Sequence, residues 1–163
     1  MQSLAALEHF DCKKPGSYSY KQSFQTIRKL GQTTSTLEQQ FKRMAFNIVS
    51  RNQEDHVKTI SFLMTQDGHW RLSPTYDVTY SHNPDGPWTG QHQMSLNEKR
   101  DGFSKRDFED CGKTISLKRG RAIESLEQVH STVSNWEIYA GKAGVSEIQT
   151  AQIQNAHRLD LLL

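Results

Sequence analysis

The sequence predicts an α+β fold, predominantly helical, with one β-hairpin at its centre. Three observations predict it. Leu37, Phe41, Met44 and Ile48 recur every three to four residues, the spacing of one helix face. Ile60–Met64 and His69–Ser73 are apolar and β-branched runs flanking Thr65-Gln-Asp-Gly68, which is the composition of a hairpin and its turn. Ser19, Ser104 and Ser146 stand where helix N-caps belong. Helices gathered around a single hairpin define a mixed fold rather than a parallel α/β one.

Met1 to Pro15 form a short apolar piece (Leu4, Leu7, Phe10) and a turn at Pro15-Gly16. This start reads as cut from something longer. Ser19 caps a helix whose inner face is Phe24, Ile27 and Leu30, and Gly31 ends it. Ser35 with Glu38 has the capping-box pattern, so the next helix is expected to open there and stop near Asn52. Pro74 ends the hairpin. Ser81 to Gly90 is a loop rich in Pro and Gly, and Gln91 to Leu96 a short extended stretch. Ser104 with Asp107 caps a helix through Cys111. A long helix is expected from Lys118 to Ala140, with Ile123, Leu126, Val129, Val133 and Trp136 inward. The last helix, capped by Ser146, carries Ile148, Ile153, Ala156 and Leu159.

The 163 residues suffice for one core. Only 34% are hydrophobic, and mean hydropathy is −0.75, so the chain is polar for its size and fits part of a larger core. A net charge of +2 gives no strong attraction to nucleic acid, and direct nucleic-acid binding is not expected. The basic pairs and the Lys118, Arg119, Arg121 cluster read as solvated faces. Cys12 and Cys111 are far apart and read as free thiols. No apolar run reaches membrane-spanning length and no signal peptide opens the chain, so a cytoplasmic protein is expected. His56, His69, His82 and His92 lack metal-ligand spacing. Trp70, Trp88 and Trp136 are expected to pack.

The chemistry concentrates between Asn52 and Asp77. Phosphoryl transfer needs a carboxylate to orient the attacking hydroxyl, oxygen ligands for Mg²⁺, and an element that covers the phosphates. Glu54, Asp55 and Asp77 can supply the first two, because the hairpin folds Asp77 back toward the helix end. The plain alternative is that Glu54 and Asp55 are loop acids and Asp77 a turn former.

Asn52-Gln-Glu-Asp-His-Val-Lys-Thr-Ile-Ser-Phe62 and Arg71-Leu-Ser-Pro-Thr-Tyr-Asp77 resemble the catalytic loop and metal-binding motif of HipA-like serine/threonine kinases. These are the toxins of bacterial toxin–antitoxin modules. Pro15-Gly-Ser-Tyr-Ser-Tyr20, Phe46-Asn47 and Trp88-Thr-Gly-Gln-His-Gln-Met-Ser-Leu96 resemble further family segments. The resemblance spans nearly all of residues 1–163 but corresponds only to the family's C-terminal lobe. It implies a kinase-like C-terminal lobe with ATP and Mg²⁺ as cofactors. It places the catalytic carboxylate on Glu54 and the nucleotide site on His56, Val57, Lys58, Thr59, Tyr76 and Asp77, with Thr59 and Asp77 as metal ligands. A helix-turn-helix antitoxin is the implied partner, and the protein substrate is unspecified.

Two positions depart from the family pattern. Glu54 stands where the family has Asp, which displaces the carboxylate by roughly 1 Å, a shift that can cost about 100-fold in rate. Thr59 stands where the family has Asn, although hydroxyls do bind Mg²⁺ in other phosphoryl-transfer enzymes. Asp55 as a substitute base would shift the spacing to Thr59 by one residue. The chain holds neither G-x-G-x-x-G nor a Val-Ala-Ile-Lys-like strand, the parts that cover the phosphates. The expectation is a weak or inactive kinase lobe. Its alternative is a non-catalytic pseudokinase remnant that binds a partner or is inert. A metal-dependent phosphodiesterase built on Glu54, Asp55, His56 and Asp77 is the third reading.

Overall fold

The computed structural model describes residues 1–162. The chain opens with β1 (Gln2–Ser3) and α1 (Leu4–Leu7), and Ser3 caps α1 by accepting from the Ala6 amide. β2 (Tyr18–Ser19) then leads directly into α2 (Tyr20–Lys29). Ser19 caps α2 through a capping box, its own amide donating to Gln22 Oε1 at 2.8 Å. Gly31 closes α2 at φ 69°, a left-handed angle that glycine adopts without strain.

α3 (Thr34–Val49) buries Leu37, Phe41, Met44 and Ile48 as the spacing requires, with Ala45 and Val49 beside them. Its start differs from the expected one. Thr33 is the N-cap, and Ser35 lies inside the first turn. Glu38 is engaged elsewhere. Its carboxylate accepts a two-point bond from Arg121 at 2.8 and 3.0 Å and pairs with Lys42 at 3.3 Å. A bidentate guanidinium outcompetes a backbone amide for that carboxylate.

β3 (Ser61–Met64) and β4 (Trp70–Leu72) form the expected hairpin, with Phe62 opposite Leu72. β1 adds a third, antiparallel strand on the other edge of β3, Gln2 opposite Phe62. The expected extended stretch contains β5 (Met94–Ser95), which pairs parallel with β2, Tyr18 opposite Met94. Neither β1 nor β2 is long enough to show an alternating pattern in sequence.

α4 (Lys105–Thr114) carries the expected Ser104–Asp107 capping box. The expected long helix is broken. α5 (Arg121–Ser134) and α6 (Trp136–Lys142) meet at Asn135, whose φ of −89° and ψ of 19° leave the helical region. The cause is local. Thr132, Ser134 and Asn135 each donate a side-chain hydrogen bond to the carbonyl four residues back, at 2.8 to 2.9 Å. Such back-bonds compete with the helix ladder and bend it. Leu126, Val129 and Val133 face inward as expected, whereas Ile123 is half-buried. Trp136 turns to α7 (Glu147–Ala156), donating its indole N–H to the Thr150 carbonyl at 3.1 Å. Ser146 caps α7, which buries no side chain completely, and Ile148 is 82% exposed.

The core lies where α3 meets α5, α4 and the sheet, with Phe41 edge-on to Phe108 at 6.3 Å. α4 and α5 approach most closely at Gly112, where a β-carbon would stand 2.5 Å from that of Ala122. Gly112→Ala is therefore expected to destabilise the fold by about 1–3 kcal/mol, read as a lower urea midpoint at unchanged slope. The hydrogen bonds from Arg121, ahead of the weaker pull of Lys42, hold the Glu38 carboxyl below its ordinary 4.5. A depressed folded pKa adds stability above the unfolded value, and that stability is lost as pH falls through the folded value. The stability gap between the protein and Arg121→Gln should thus be widest near neutrality and close on acidification below 4.5, measured by urea unfolding across pH.

Candidate active site

The site is built on the loop that follows α3. Arg51, at φ 59°, turns the chain out of the helix, and the loop from Asn52 to Thr59 is then fastened on two sides. On one side, Asn52 bridges Ser81, the Gln53 amide donates to the Ser81 carbonyl and the Ser81 amide to the Arg51 carbonyl, both at 3.2 Å. On the other, the Ala5 amide donates to the Val57 carbonyl at 3.0 Å and the Leu4 amide to the Ile60 carbonyl at 2.7 Å. The loop and the segment after Asp77 therefore lie side by side.

Asp55 anchors the loop from within. It is 1% exposed, and both oxygens are engaged. Oδ2 accepts from the Tyr20 hydroxyl at 2.6 Å and from His92 Nδ1 at 2.9 Å, and Oδ1 accepts from the Gln93 amide at 2.8 Å. A carboxylate this buried is stable only when its lone pairs are satisfied. Burial first, and then the Asp55 charge, push the Tyr20 phenol well above its ordinary range, so it stays a donor. With the His92 proton on Nδ1, Nε2 accepts from the Arg158 guanidinium at 2.9 Å. Arg158 is 6% exposed and also donates to the Ile48 carbonyl at 2.8 Å and to Asp101 at 2.7 Å. Asp55 is thus a structural hub: with both oxygens engaged and the side chain sealed from solvent, it is not placed to act as a substitute base. That removes a member of the phosphodiesterase set as well, and no three His, Cys, Asp or Glu side chains gather as a metal cluster among the described residues.

The structure divides the expected site residues. Thr59, Tyr76 and Asp77 line one small cleft, together with Gln40, Asn47 and Asn52. The Thr59 hydroxyl donates to the His56 carbonyl at 2.8 Å, which leaves its oxygen lone pairs free. Tyr76 is fixed from the loop itself, its hydroxyl donating to the Lys58 carbonyl at 2.5 Å and meeting Ser61 Oγ. Asp77 is exposed and sits at φ 54°, a left-handed angle that costs a non-glycine residue energy. Glu54, His56, Val57 and Lys58 do not line this cleft. Glu54 and Lys58 project into solvent, His56 is half-buried, and the Val57 side chain is part of the core. Val57 offers the site only its backbone.

Sequence reasoning gave no role to Tyr20, Asn47, His92 or Arg158. Tyr20, Asn47 and His92 fall in the outlying segments that carry the family resemblance, and those segments converge on Asp55 and its partners. Arg158 had no signal at all.

A helix-dominated α+β domain, with an acidic loop before a hairpin and an Asp just after it, has the architecture of a kinase-like C-terminal lobe. The comparisons agree. Residues 1–136 match the model of the HipA-like C-terminal domain, and the chain belongs to that family. Among solved structures, the fold matches the complex of HipA, HipB and operator DNA from the Shewanella oneidensis MR-1 toxin–antitoxin system. The TM-score is 0.66 at 19% identity, over 88% of this chain and 34% of that one. The chain thus spans about a third of the protein it matches. No curated protein matches the sequence.

The Tyr20 hydroxyl is a donor to Asp55 that can be deleted while the aromatic ring stays in place. Tyr20→Phe is expected to cost about 2 kcal/mol, the order for a buried hydrogen bond to a charged group. Amide exchange at Gln93 should accelerate in parallel. Unchanged stability and exchange would mean that Asp55 does not depend on Tyr20.

Proposed function

We propose that this chain is the C-terminal lobe of a HipA-type protein serine/threonine kinase, and that by itself it transfers phosphate weakly or not at all. The observation that carries the reading is the convergence of Thr59, Tyr76 and Asp77 on one cleft beside the loop that bears Glu54. The donor set suits Mg²⁺, which takes hard oxygen ligands and keeps several of its waters. Mg²⁺ supplies charge neutralisation on the phosphates of ATP. Thr59 and Asp77 would hold the metal, and the edge formed by His56, Lys58 and Tyr76, together with the Val57 backbone, would receive the nucleotide. Glu54 would orient the attacking hydroxyl of a protein substrate. The element that covers the phosphates would come from another segment or another chain. The matched Shewanella structure is a complex with HipB, and a helix-turn-helix antitoxin is the partner class proposed here.

A non-catalytic, nucleotide- or partner-binding role is the second reading, and one observation favours it. The Glu54 side chain is exposed and makes no hydrogen bond among the described residues, so its carboxylate has no fixed aim. Catalysis by positioning requires that aim. Calorimetric titration with ATP, with and without Mg²⁺, tests the nucleotide reading. Mg²⁺-dependent binding is expected, weakened at least about tenfold in Asp77→Ala. Absence of binding up to millimolar ATP would overturn it. Efficient radiolabel transfer from ATP to protein by the chain alone would overturn the expectation of weak activity.

A further inference from the structure

Two oxygens on residues that line the cleft lack partners among the described residues. Gln40 is 1% exposed and Asn52 3% exposed, and neither Gln40 Oε1 nor Asn52 Oδ1 accepts a hydrogen bond from any described residue. Both residues line the cleft that Thr59 and Asp77 line. An unpaired buried carbonyl is unfavourable, so two in one cleft mark a place for a donor or a cation.

The orientation of Asn52 is dictated from Asp55. The carboxylate only accepts, so Tyr20 must donate to it, and the phenol oxygen then accepts from Asn47 Nδ2 at 3.1 Å. Asn47 Oδ1 in turn accepts from Asn52 Nδ2 at 3.0 Å. Each amide is fixed by the one before it, and the last oxygen, Asn52 Oδ1, is left free.

Size and chemistry narrow the occupant. The cleft measures about 20 Å³, and a single water needs roughly 10–15 Å³ by the same kind of measure. It holds one small particle and no nucleotide. Its donors are amide, hydroxyl and carboxylate oxygens, the ligands of a hard divalent cation. We propose that Gln40 Oε1 and Asn52 Oδ1, with Asp77, ligate a cation of the Mg²⁺ class, so that two buried amide oxygens serve where Thr59 offers only a hydroxyl. The proposal rests on the nucleotide reading for its metal. Arg43 also lines the cleft, its guanidinium tethered to the Ser73 carbonyl at 2.7 Å. With one carboxylate and one guanidinium nearby, the cation is under-neutralised, and it binds tightly only when phosphates accompany it.

The test uses Mn²⁺ as the probe, titrated with ADP and followed by the paramagnetic resonance of free Mn²⁺. Gln40→Leu is expected to weaken Mn²⁺ about tenfold while raising the metal-free melting temperature, because it removes the unpaired oxygen. Gln40→Glu and Asn52→Asp keep an oxygen in place and add charge, and each is expected to tighten Mn²⁺ about tenfold. If Asn52→Asp fails to fold, the two Gln40 variants decide. Loss of Mn²⁺ in Asp77→Ala with no change across the Gln40 variants would mean that water occupies the cleft floor. The inference would then fall while the nucleotide reading stood. A protein that binds ADP but no Mn²⁺ would also overturn the inference. One that binds neither would overturn the nucleotide reading too.

Discussion

The buried carboxylate of Asp55 is the constraint on which the rest of this structure depends. Removing a charge from water costs several kcal/mol, and only complete hydrogen bonding offsets it. Here the three donors come from the start of α2, from the His92 ring and from the Gln93 backbone. None is a neighbour of Asp55 in sequence. The loop can take up its position only when all three segments are in place, so its placement reports the completed fold. A carboxylate also only accepts, and this fixes the direction of every proton in the network around it. One arm of that network runs through Tyr20 and Asn47 to Asn52 at the cleft. The other runs through His92 to Arg158 near the end of the described chain.

Immediate neighbours of Asp55 are treated very differently. Its backbone is held rigidly, yet the Glu54 side chain, one residue earlier, projects into solvent without a partner among the described residues. Fixing a backbone does not aim a side chain with three rotatable bonds. Electrostatic and positional catalysis depend on groups that need no reorganisation at the moment of reaction. Asp77 shows the opposite arrangement. Its left-handed backbone is a local strain that persists because Tyr76 is tied to Lys58 and Ser61 on one side and the Arg51–Ser81 bonds hold the other. The backbone that presents Asp77 is therefore fixed, whereas the Glu54 carboxylate is not. On the kinase reading proposed above, such an asymmetry would give weak transfer with retained nucleotide affinity.

What the sequence made legible was local. The caps at Ser19, Ser104 and Ser146 and the buried face of α3 are set by residues within a few positions of one another. The misread start of α3 had a distant cause, since Arg121, 83 residues from Glu38, takes the carboxylate that the capping box needed. The break at Asn135 was hidden because apolar spacing continues across it, while the back-bonding polar residues that bend the helix lie on its other face. The cleft was half legible. Thr59, Tyr76 and Asp77 stood in recognisable motifs, whereas Gln40 and Asn47 sit on α3 among residues that read only as helix. Their roles depend on which oxygen is left unpaired, and that is decided in three dimensions.

Arg158 carries the argument beyond the matched family region, which ends at residue 136. A guanidinium at 6% exposure is costly, and burial followed by the nearby Arg51 charge pushes its pKa down, against the pull of Asp101. It persists because its N–H groups reach the Ile48 carbonyl, His92 and Asp101, and because it lies 5.4 Å over the Phe103 ring. Removing it would leave His92 Nε2 and a buried carbonyl without partners, which is worse than never having built the site. The segment after α7 therefore completes the network that holds the candidate active-site loop. The loop's placement depends on a residue far along the chain as much as on its own motif: Arg158 and Ile48, joined by a hydrogen bond, are separated by 110 positions.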